Sequence, residues 1–177
     1  STLSFANENF ILNKRWKKNF GLLKNHKLSF DLQLYPEQMD EYAEFLKDFP
    51  EIPVVIDHAG CPYDQSDSGI MIWKRSLTNL SKLPNLYIKL SGFGMYDKKW
   101  TSESSQIIFD TIIDKFNSNR IMWGRNFPVE SLTKSYSFCI EQLTKWITPL
   151  SIKDRTNIAS ETAKYFYKID LFKTPID

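Results

Sequence analysis

The chain has 177 residues, of which 42% are hydrophobic and 15% aromatic, enough to build the core of one ordinary domain. Its 23 basic and 21 acidic residues nearly balance, which argues against nucleic acid or a membrane surface as a partner. No apolar run approaches the ~20 residues of a membrane span. We therefore expect a single domain over residues 1–177.

Cysteine usage and the N-terminus bear on the compartment. Cys61 and Cys139 form neither a CxxC pair nor a disulfide framework, so they are expected to be free thiols in a reducing cytosol. The N-terminal residues lack the basic start and apolar run of a signal peptide. These features predict a cytoplasmic protein. The chain starts at Ser1 instead of a methionine, as expected of a cut or processed chain.

Four stretches have the composition of buried strands, and helical patterns separate them. The stretches are LSFDLQLY, PVVIDHAG, NLYIKLSGF and RIMWGRNFP. They start roughly 25–35 residues apart, which is the length of a βαβ unit. Since parallel strands need crossovers of this length, we expect four parallel strands near 28–34, 53–58, 86–91 and 120–125.

Apolar side chains spaced by three and four residues predict the intervening helices. The patterns begin at Trp16, Met39, Ile70, Ile108 and Tyr136. Ser151 is expected to cap a last helix that buries Ile152, Ile158, Ala159, Ala163 and Phe166.

The strands carry polar residues on one face. In the first strand Ser29, Asp31 and Gln33 share a face, and in the third Lys89 and Ser91 do. A strand covered by helices on both faces should be apolar on both. One polar face instead favours an α/β fold of TIM-barrel type, whose inner face opens into a site at the C-terminal rim. The alternative, an open doubly wound sheet, lacks its GxGxxG signature.

Polar residues at the strand ends predict a functional site. His58 ends the second strand and Asn126 ends the fourth, and in a barrel these ends converge on one pocket. An imidazole there can position water, act as a base or bind a metal, and a lysine can anchor an anionic substrate. The candidate substrate-binding residues are Asp31, Lys89, Ser91 and Arg125.

Structural roles compete with these assignments. A histidine beside Asp57 at a strand end is equally compatible with a structural pair. Asp31 is as compatible with capping or with pairing to Lys89 as with a site. Asp57 is expected to point outward and to be structural. Cys61 has no second histidine to form a Cys–His nucleophile.

The four strand motifs, in this order, resemble the amidohydrolase-related family of metal-dependent hydrolases. The similarity runs from about Asn13 to Tyr167 and is greatest to the lactonase-like branch, which includes pyrone-dicarboxylate and sugar lactonases. It implies a distorted (β/α)8 barrel and hydrolysis, often of a lactone. With Lys89 and Arg125 to hold a carboxylate or hydroxyl group, we expect the substrate to be a small anionic lactone or related cyclic ester. It also implies that the four strands are strands five to eight, with His58 as the sixth-strand histidine and Asn126 at the eighth-strand position.

Two departures from the family pattern shape the expectations. The HxH motif of strand one is absent, so the first half of the barrel is missing, and Asn126 stands where the family usually has Asp. We expect no metal on this chain alone, because one histidine is a poor zinc site; for the complete barrel, hydrolysis with a divalent metal and hydrolysis without one both stay open. The inner face, with Ile56, Tyr87 and Met122, is expected to be open to water. The expected partner is the missing barrel half or a second copy.

Two further functions stay open at this point. The missing half and the asparagine both suit an inactive fragment, or a pseudoenzyme that completes a barrel with another chain. A decarboxylase of the same family is the other alternative, although that branch relies on metal ligands that this chain lacks.

Overall fold

The four strand segments form one parallel sheet. In the computed structural model, which describes residues 10–169, the strands are β1 (Phe30–Leu32), β2 (Val54–Ile56), β3 (Leu86–Leu90) and β4 (Ile121–Trp123). They are ordered β1-β2-β3-β4, and every neighbouring pair is parallel. The predicted succession of parallel βα units is confirmed, although each strand is shorter than its predicted segment.

Helices occupy the intervals where the sequence predicts them. They are α1 (Lys14–Gly21), α2 (Met39–Leu46), α3 (Asp67–Ser81), α4 (Gln106–Lys115), α5 (Tyr136–Ile147), α6 (Ile152–Thr156) and α7 (Thr162–Tyr167). Within residues 10–169, none of them is long and apolar enough to cross a membrane.

The last helical segment starts as predicted but buries fewer residues than expected. The Ser151 hydroxyl accepts a hydrogen bond from the Asp154 backbone N–H and so caps α6. Ile152 is 81% exposed, and Ala159 is also exposed, so these two burial predictions are wrong. The segment first reaches β4 at the π-helical turn Asn157–Glu161, and its buried side chains lie from there onward.

One face of the sheet packs against the helices. The strand residues Val54, Ile56, Leu86, Ile88 and Leu90 are fully buried in the main core. Their helical partners include Trp73 and Leu77 of α3 and Ile108 and Ile112 of α4, which are equally buried. The expectation that Ile56 lies on the inner face is therefore wrong: period-two alternation puts it on the helix side.

The other face of the sheet is its inner face. Contrary to the expectation, it is not open to water. Val55 and Met122 are 0% and 1% exposed, because Phe166 of α7 packs over them. The ring centroids of Tyr87 and Phe166 lie 4.9 Å apart. The chain thus covers part of its own inner face with its last helix.

Candidate active site

His58 lies in a left-handed turn directly after β2. His58, Ala59 and Gly60 have φ values of 54°, 55° and 70°. Left-handed backbone is costly for the first two residue types, so the surroundings must hold it. The Trp73 indole N–H does so by donating to the Ala59 carbonyl at 2.8 Å. The turn brings the half-buried His58 ring beside β3, where Nδ1 lies 3.0 Å from the Ser91 hydroxyl.

Gly92 allows β3 to approach this ring closely. Its φ is 71°, and a Cβ atom at this position would lie 2.6 Å from His58 Nδ1. Any other residue would therefore push the imidazole away from Ser91, which is itself only 3% exposed. The pair of Ser91 and Gly92 fixes both the position and the orientation of the ring.

The environment favours the neutral form of His58. Burial lowers the pKa of the imidazole, the charge of Asp57 raises it, the charge of Lys89 lowers it, and the net shift is downward. The ring is therefore neutral at pH 7. When Nδ1–H donates to Ser91, Nε2 carries a lone pair that can accept a proton.

Lys89 lies between two carboxylates on the inner face. Its ammonium is 2.6 Å from Asp31 Oδ2 and 2.8 Å from Asp57 Oδ1. The Tyr167 hydroxyl, from α7, donates to the same Asp31 carboxylate at 2.8 Å. Burial lowers the pKa of Lys89, but hydrogen bonds to the two carboxylates and to Tyr167 outweigh it and raise the pKa above its usual value. The lysine is charged, and its charge is already paired with two carboxylates.

Asp57 belongs to this cluster, so the expectation that it points outward is wrong. β2 and β3 pair Val55 with Tyr87, which puts Asp57 level with Lys89 on the inner face. Both side chains are only 19% exposed. The alternative interpretation of Asp31, as the ion-pair partner of Lys89, is the one that the structure has.

Arg125 and Asn126 follow β4 and present unpaired donors. Asn126 has a φ of 49°, and its carbonyl accepts the backbone N–H of Glu130 at 2.9 Å. The Arg125 guanidinium stacks on the Tyr136 ring, 3.5 Å from its centroid. Arg125 Nη1 and Asn126 Nδ2 are buried and have no hydrogen-bond partner among the described residues. Such donors suit a ligand or ordered water that carries oxygen acceptors.

The predicted site residues form two contact groups and one separate pair. His58 contacts Ser91, and Lys89 contacts Asp31. Between residues 10 and 169, no hydrogen bond or ion pair connects the side chains of Arg125 and Asn126 to these groups. The approach of β4 to β3 brings the pair near, because a Cβ on Gly124 would lie 3.3 Å from Ser91 Cβ. The convergence of all six residues on one ligand stays a prediction.

Comparison with known proteins identifies the family. The profile of the family described as Amidohydrolase matches residues 6–169, nearly the whole chain. The chain belongs to the amidohydrolase family. This result agrees with the parallel βα units and with the polar inner face of the sheet.

The curated relatives that the chain matches are longer than the chain. An uncharacterized protein, y4mH, from Sinorhizobium fredii (strain NBRC 101917 / NGR234) is 34% identical over 154 residues, which are 87% of this chain and 52% of that protein. An L-fucono-1,5-lactonase from Burkholderia multivorans (strain ATCC 17616 / 249) is 25% identical over 90% of this chain and 58% of its own length. The chain thus spans about half the length of the curated relatives it matches.

Solved amidohydrolase structures share the fold. An amidohydrolase from Burkholderia multivorans, crystallised with bound zinc, superposes with a TM-score of 0.85 at 24% identity, over 93% of this chain and 62% of that one. A putative 2-pyrone-4,6-dicarboxylic acid hydrolase from Pseudomonas putida gives 0.74 at 16% identity, over 92% and 59%. At such identities the likeness concerns the fold alone.

The donor set of this amidohydrolase chain does not fit a zinc ion by itself. Within residues 10–169, no three His, Cys, Asp or Glu side chains are grouped to hold a metal. Catalytic zinc normally takes three protein ligands. Next to His58, the Asp57 carboxylate is already paired with Lys89, and Asn126 offers only an amide. We derive no chemical step through a metal from these residues.

Sequence reasoning missed three residues around the site. Asp57 is one of them: it lies two residues after Val55, so strand alternation puts both side chains on the inner face. Tyr167 contacts Asp31 from 136 residues away, and nothing in the sequence signals that contact. Glu130 is 3% exposed and connects two loops at the rim; a lone glutamate in NFPVESL gives a weak signal for such a role.

Proposed function

We propose that the complete protein carrying this chain hydrolyses a small anionic lactone. The observation that carries the proposal is the half-buried His58 imidazole, held against Ser91 at the C-terminal end of a barrel strand, where burial lowers its pKa. Similarity to L-fucono-1,5-lactonase supports the lactone as substrate class. A small molecule also suits the absence of strong net charge.

His58 is proposed to accept a proton from the attacking water. Its Nδ1 is engaged by Ser91, and Nε2 makes no hydrogen bond to any described residue, so Nε2 is the atom available for proton transfer. Water adds to the lactone carbonyl as its proton passes to the imidazole. The proton then returns to the ring oxygen as the ester bond breaks and the hydroxy acid forms.

Asn126 is proposed to bind the oxygen that becomes negative during this attack. Its Nδ2 is a buried donor without a partner, and donors of this kind stabilise an oxyanion. The role requires an amide N–H, so the asparagine in place of the usual aspartate is compatible with catalysis.

The anion-binding role is assigned to Arg125 in preference to Lys89. Both were candidates, but the Lys89 ammonium already contacts two carboxylates, whereas Arg125 Nη1 has no partner among the described residues. A guanidinium also matches the planar geometry of a substrate carboxylate. Lys89, Asp31 and Asp57 then act on the reaction through the electrostatic environment of His58.

The chain is proposed to function as one domain, residues 1–177, within a complete barrel. In the described part, β1 and β4 each have only one neighbouring strand, and unpaired edges favour association. The rest of the barrel comes either from the same polypeptide or from a partner chain, including a second copy. A cytoplasmic location is proposed as well, since Cys61 and Cys139 are free and buried.

The test measures hydrolysis of a panel of lactones by the complete protein, with proton release as the signal. The panel contains sugar 1,5-lactones and 2-pyrone-4,6-dicarboxylate. His58→Gln should lower kcat by about 10²-fold or more, the usual contribution of a general acid–base group. His26→Gln is the matched control, because His26 is the other histidine of the chain and is exposed. Equal turnover by the His58 variant and the wild type would exclude His58 from the mechanism. Absence of turnover on every lactone would favour a non-catalytic barrel half.

A further inference from the structure

Glu130 is an unusual residue for the position it occupies. It is 3% exposed and is the only buried carboxylate among the described residues. Burying a carboxylate is costly unless hydrogen bonds satisfy it. A contact that only stabilises the barrel rim does not require a charged side chain. The hydrogen bonds around Glu130 should therefore explain why a carboxylate is buried there.

The Glu130 side chain reaches from the loop after β4 to the loop after β3. Its Oε1 accepts the backbone N–H of Gly94 at 2.9 Å and the indole N–H of Trp100 at 2.7 Å. A Cβ on Gly94 would lie 2.6 Å from Oε1 and would also collide with the Thr133 hydroxyl. The absence of a side chain at residue 94 therefore lets the two loops meet.

The backbone of Glu130 contacts the loop after β4, at Asn126. Its N–H donates to the Asn126 carbonyl at 2.9 Å, which supports the left-handed conformation of Asn126. On the opposite side, Gly94 lies two residues after Gly92, whose Cα approaches the His58 ring. One residue thus connects the loop that orients His58 to the loop that carries Asn126.

We propose that Glu130 is a positioning residue that sets the spacing between His58 and Asn126. It contacts neither side chain and acts through Gly94 on one side and the Asn126 backbone on the other. The proposal rests on the proposed function, in which His58 handles the proton and Asn126 binds the oxyanion. A misplacement of about 1 Å between such groups can reduce turnover by about 10²-fold.

The experiment compares Glu130→Ala and Glu130→Gln in the complete protein. Glu130→Ala removes the acceptor for Gly94 and Trp100, so kcat should fall about 10- to 100-fold while KM changes by less than about threefold. Glu130→Gln keeps an oxygen at the position of Oε1 and should restore kcat to within about threefold of the wild type. Equal losses in both variants would overturn the proposal, because the charge and not the connection would then matter.

A second readout does not depend on activity. The imidazole NMR signals of His58, identified by their loss in His58→Gln, should shift in Glu130→Ala and return in Glu130→Gln. Gln142→Ala is the matched control, since Gln142 is 2% exposed and accepts the Ser102 backbone N–H at 2.7 Å. This control should lower the melting temperature and leave both kcat and the His58 signals unchanged.

The outcomes separate the two proposals. If Glu130→Ala loses only stability, as the control does, Glu130 is merely structural and the inference is wrong. If the wild type has no lactonase activity, the proposed function fails, and the His58 signals alone decide the inference. If Glu130→Ala does not fold, Glu130→Asp, which withdraws the carboxylate by one methylene, is measured by the same two readouts.

Discussion

Replacing Lys89 by methionine should destabilise the protein strongly. Methionine keeps an unbranched apolar side chain but removes the ammonium, which leaves Asp31 and Asp57 facing each other without a cation. Removing one partner of a buried ion pair costs about 3–5 kcal/mol. Lys89 and Asp57 are 19% exposed, but Asp31 is 42% exposed, so water screens part of the effect. We expect a loss of about 2–3 kcal/mol, or roughly 5–10 °C in melting temperature.

The assay is urea unfolding followed by tryptophan fluorescence, with an exposed lysine as control. Lys145 also contacts two carboxylates, Glu103 and Glu141, each at 3.4 Å, but its side chain is 45% exposed. Lys145→Met should therefore change the free energy of unfolding by less than about 1 kcal/mol. Both lysines have two acidic partners, so the comparison contrasts a close, largely buried cluster with a looser, exposed one.

A double-mutant cycle tests the assigned partner. Asp57→Asn should lower the free energy of unfolding by at least about 1 kcal/mol less in the Lys89→Met background than in the wild type. In that background the substitution removes a carboxylate that has lost its cation. A Lys89→Met protein within about 0.5 kcal/mol of the wild type, or a cycle with no coupling, would refute the proposed charge cluster.

Three further predictions concern His58, Cys61 and the metal. Because burial lowers the pKa of His58, the unfolded chain binds a proton just below pH ~6.5 that the folded chain does not. The contribution of neutral His58 to the free energy of unfolding should therefore be complete above this pH and decrease as the pH falls toward the folded pKa. Unfolding measurements at several pH values should show this decrease in the wild type and not in His58→Gln. Burial raises the pKa of the Cys61 thiol to about 11, so iodoacetamide at pH ~8 should leave it unmodified in the folded protein; rapid alkylation, seen by mass spectrometry, would contradict the buried thiol. Elemental analysis of the isolated chain should give no stoichiometric zinc, and one tightly held ion per chain, lost in His58→Gln, would show that the ligand analysis is wrong.

The sequence predicted the elements better than it predicted the direction of side chains near the site. Parallel strands and their helices follow from periodicity and spacing, which depend on nearest neighbours along the chain. The outward expectation for Asp57 is wrong because it assumes that His58 continues the strand alternation on the inner face. In the structure, the left-handed turn at His58 and Ala59 brings the His58 ring to Ser91. Asp57 and His58 therefore both reach the inner side of the sheet. Nothing in DHAG signals left-handed backbone at a histidine and an alanine.

Contacts between distant segments were beyond sequence reasoning for a different reason. The cover that α7 provides for Val55 and Met122 depends on where the chain returns after β4. The bond from Tyr167 to Asp31 depends on the same path. Neither contact has a local pattern, because each forms only after the sheet and the last helix are both in place.

The backbone at Asn126 bears on how this position can change. Its φ of 49° lies in the region that asparagine and aspartate tolerate better than other residues with a side chain. Asparagine and aspartate can therefore replace each other at residue 126 with little backbone strain, whereas alanine, valine or leucine would strain the turn. Selection can thus replace a hydrogen-bond donor with a potential base or metal ligand here while the loop keeps its shape. The turn that presents the side chain thus favours two closely related groups at this position.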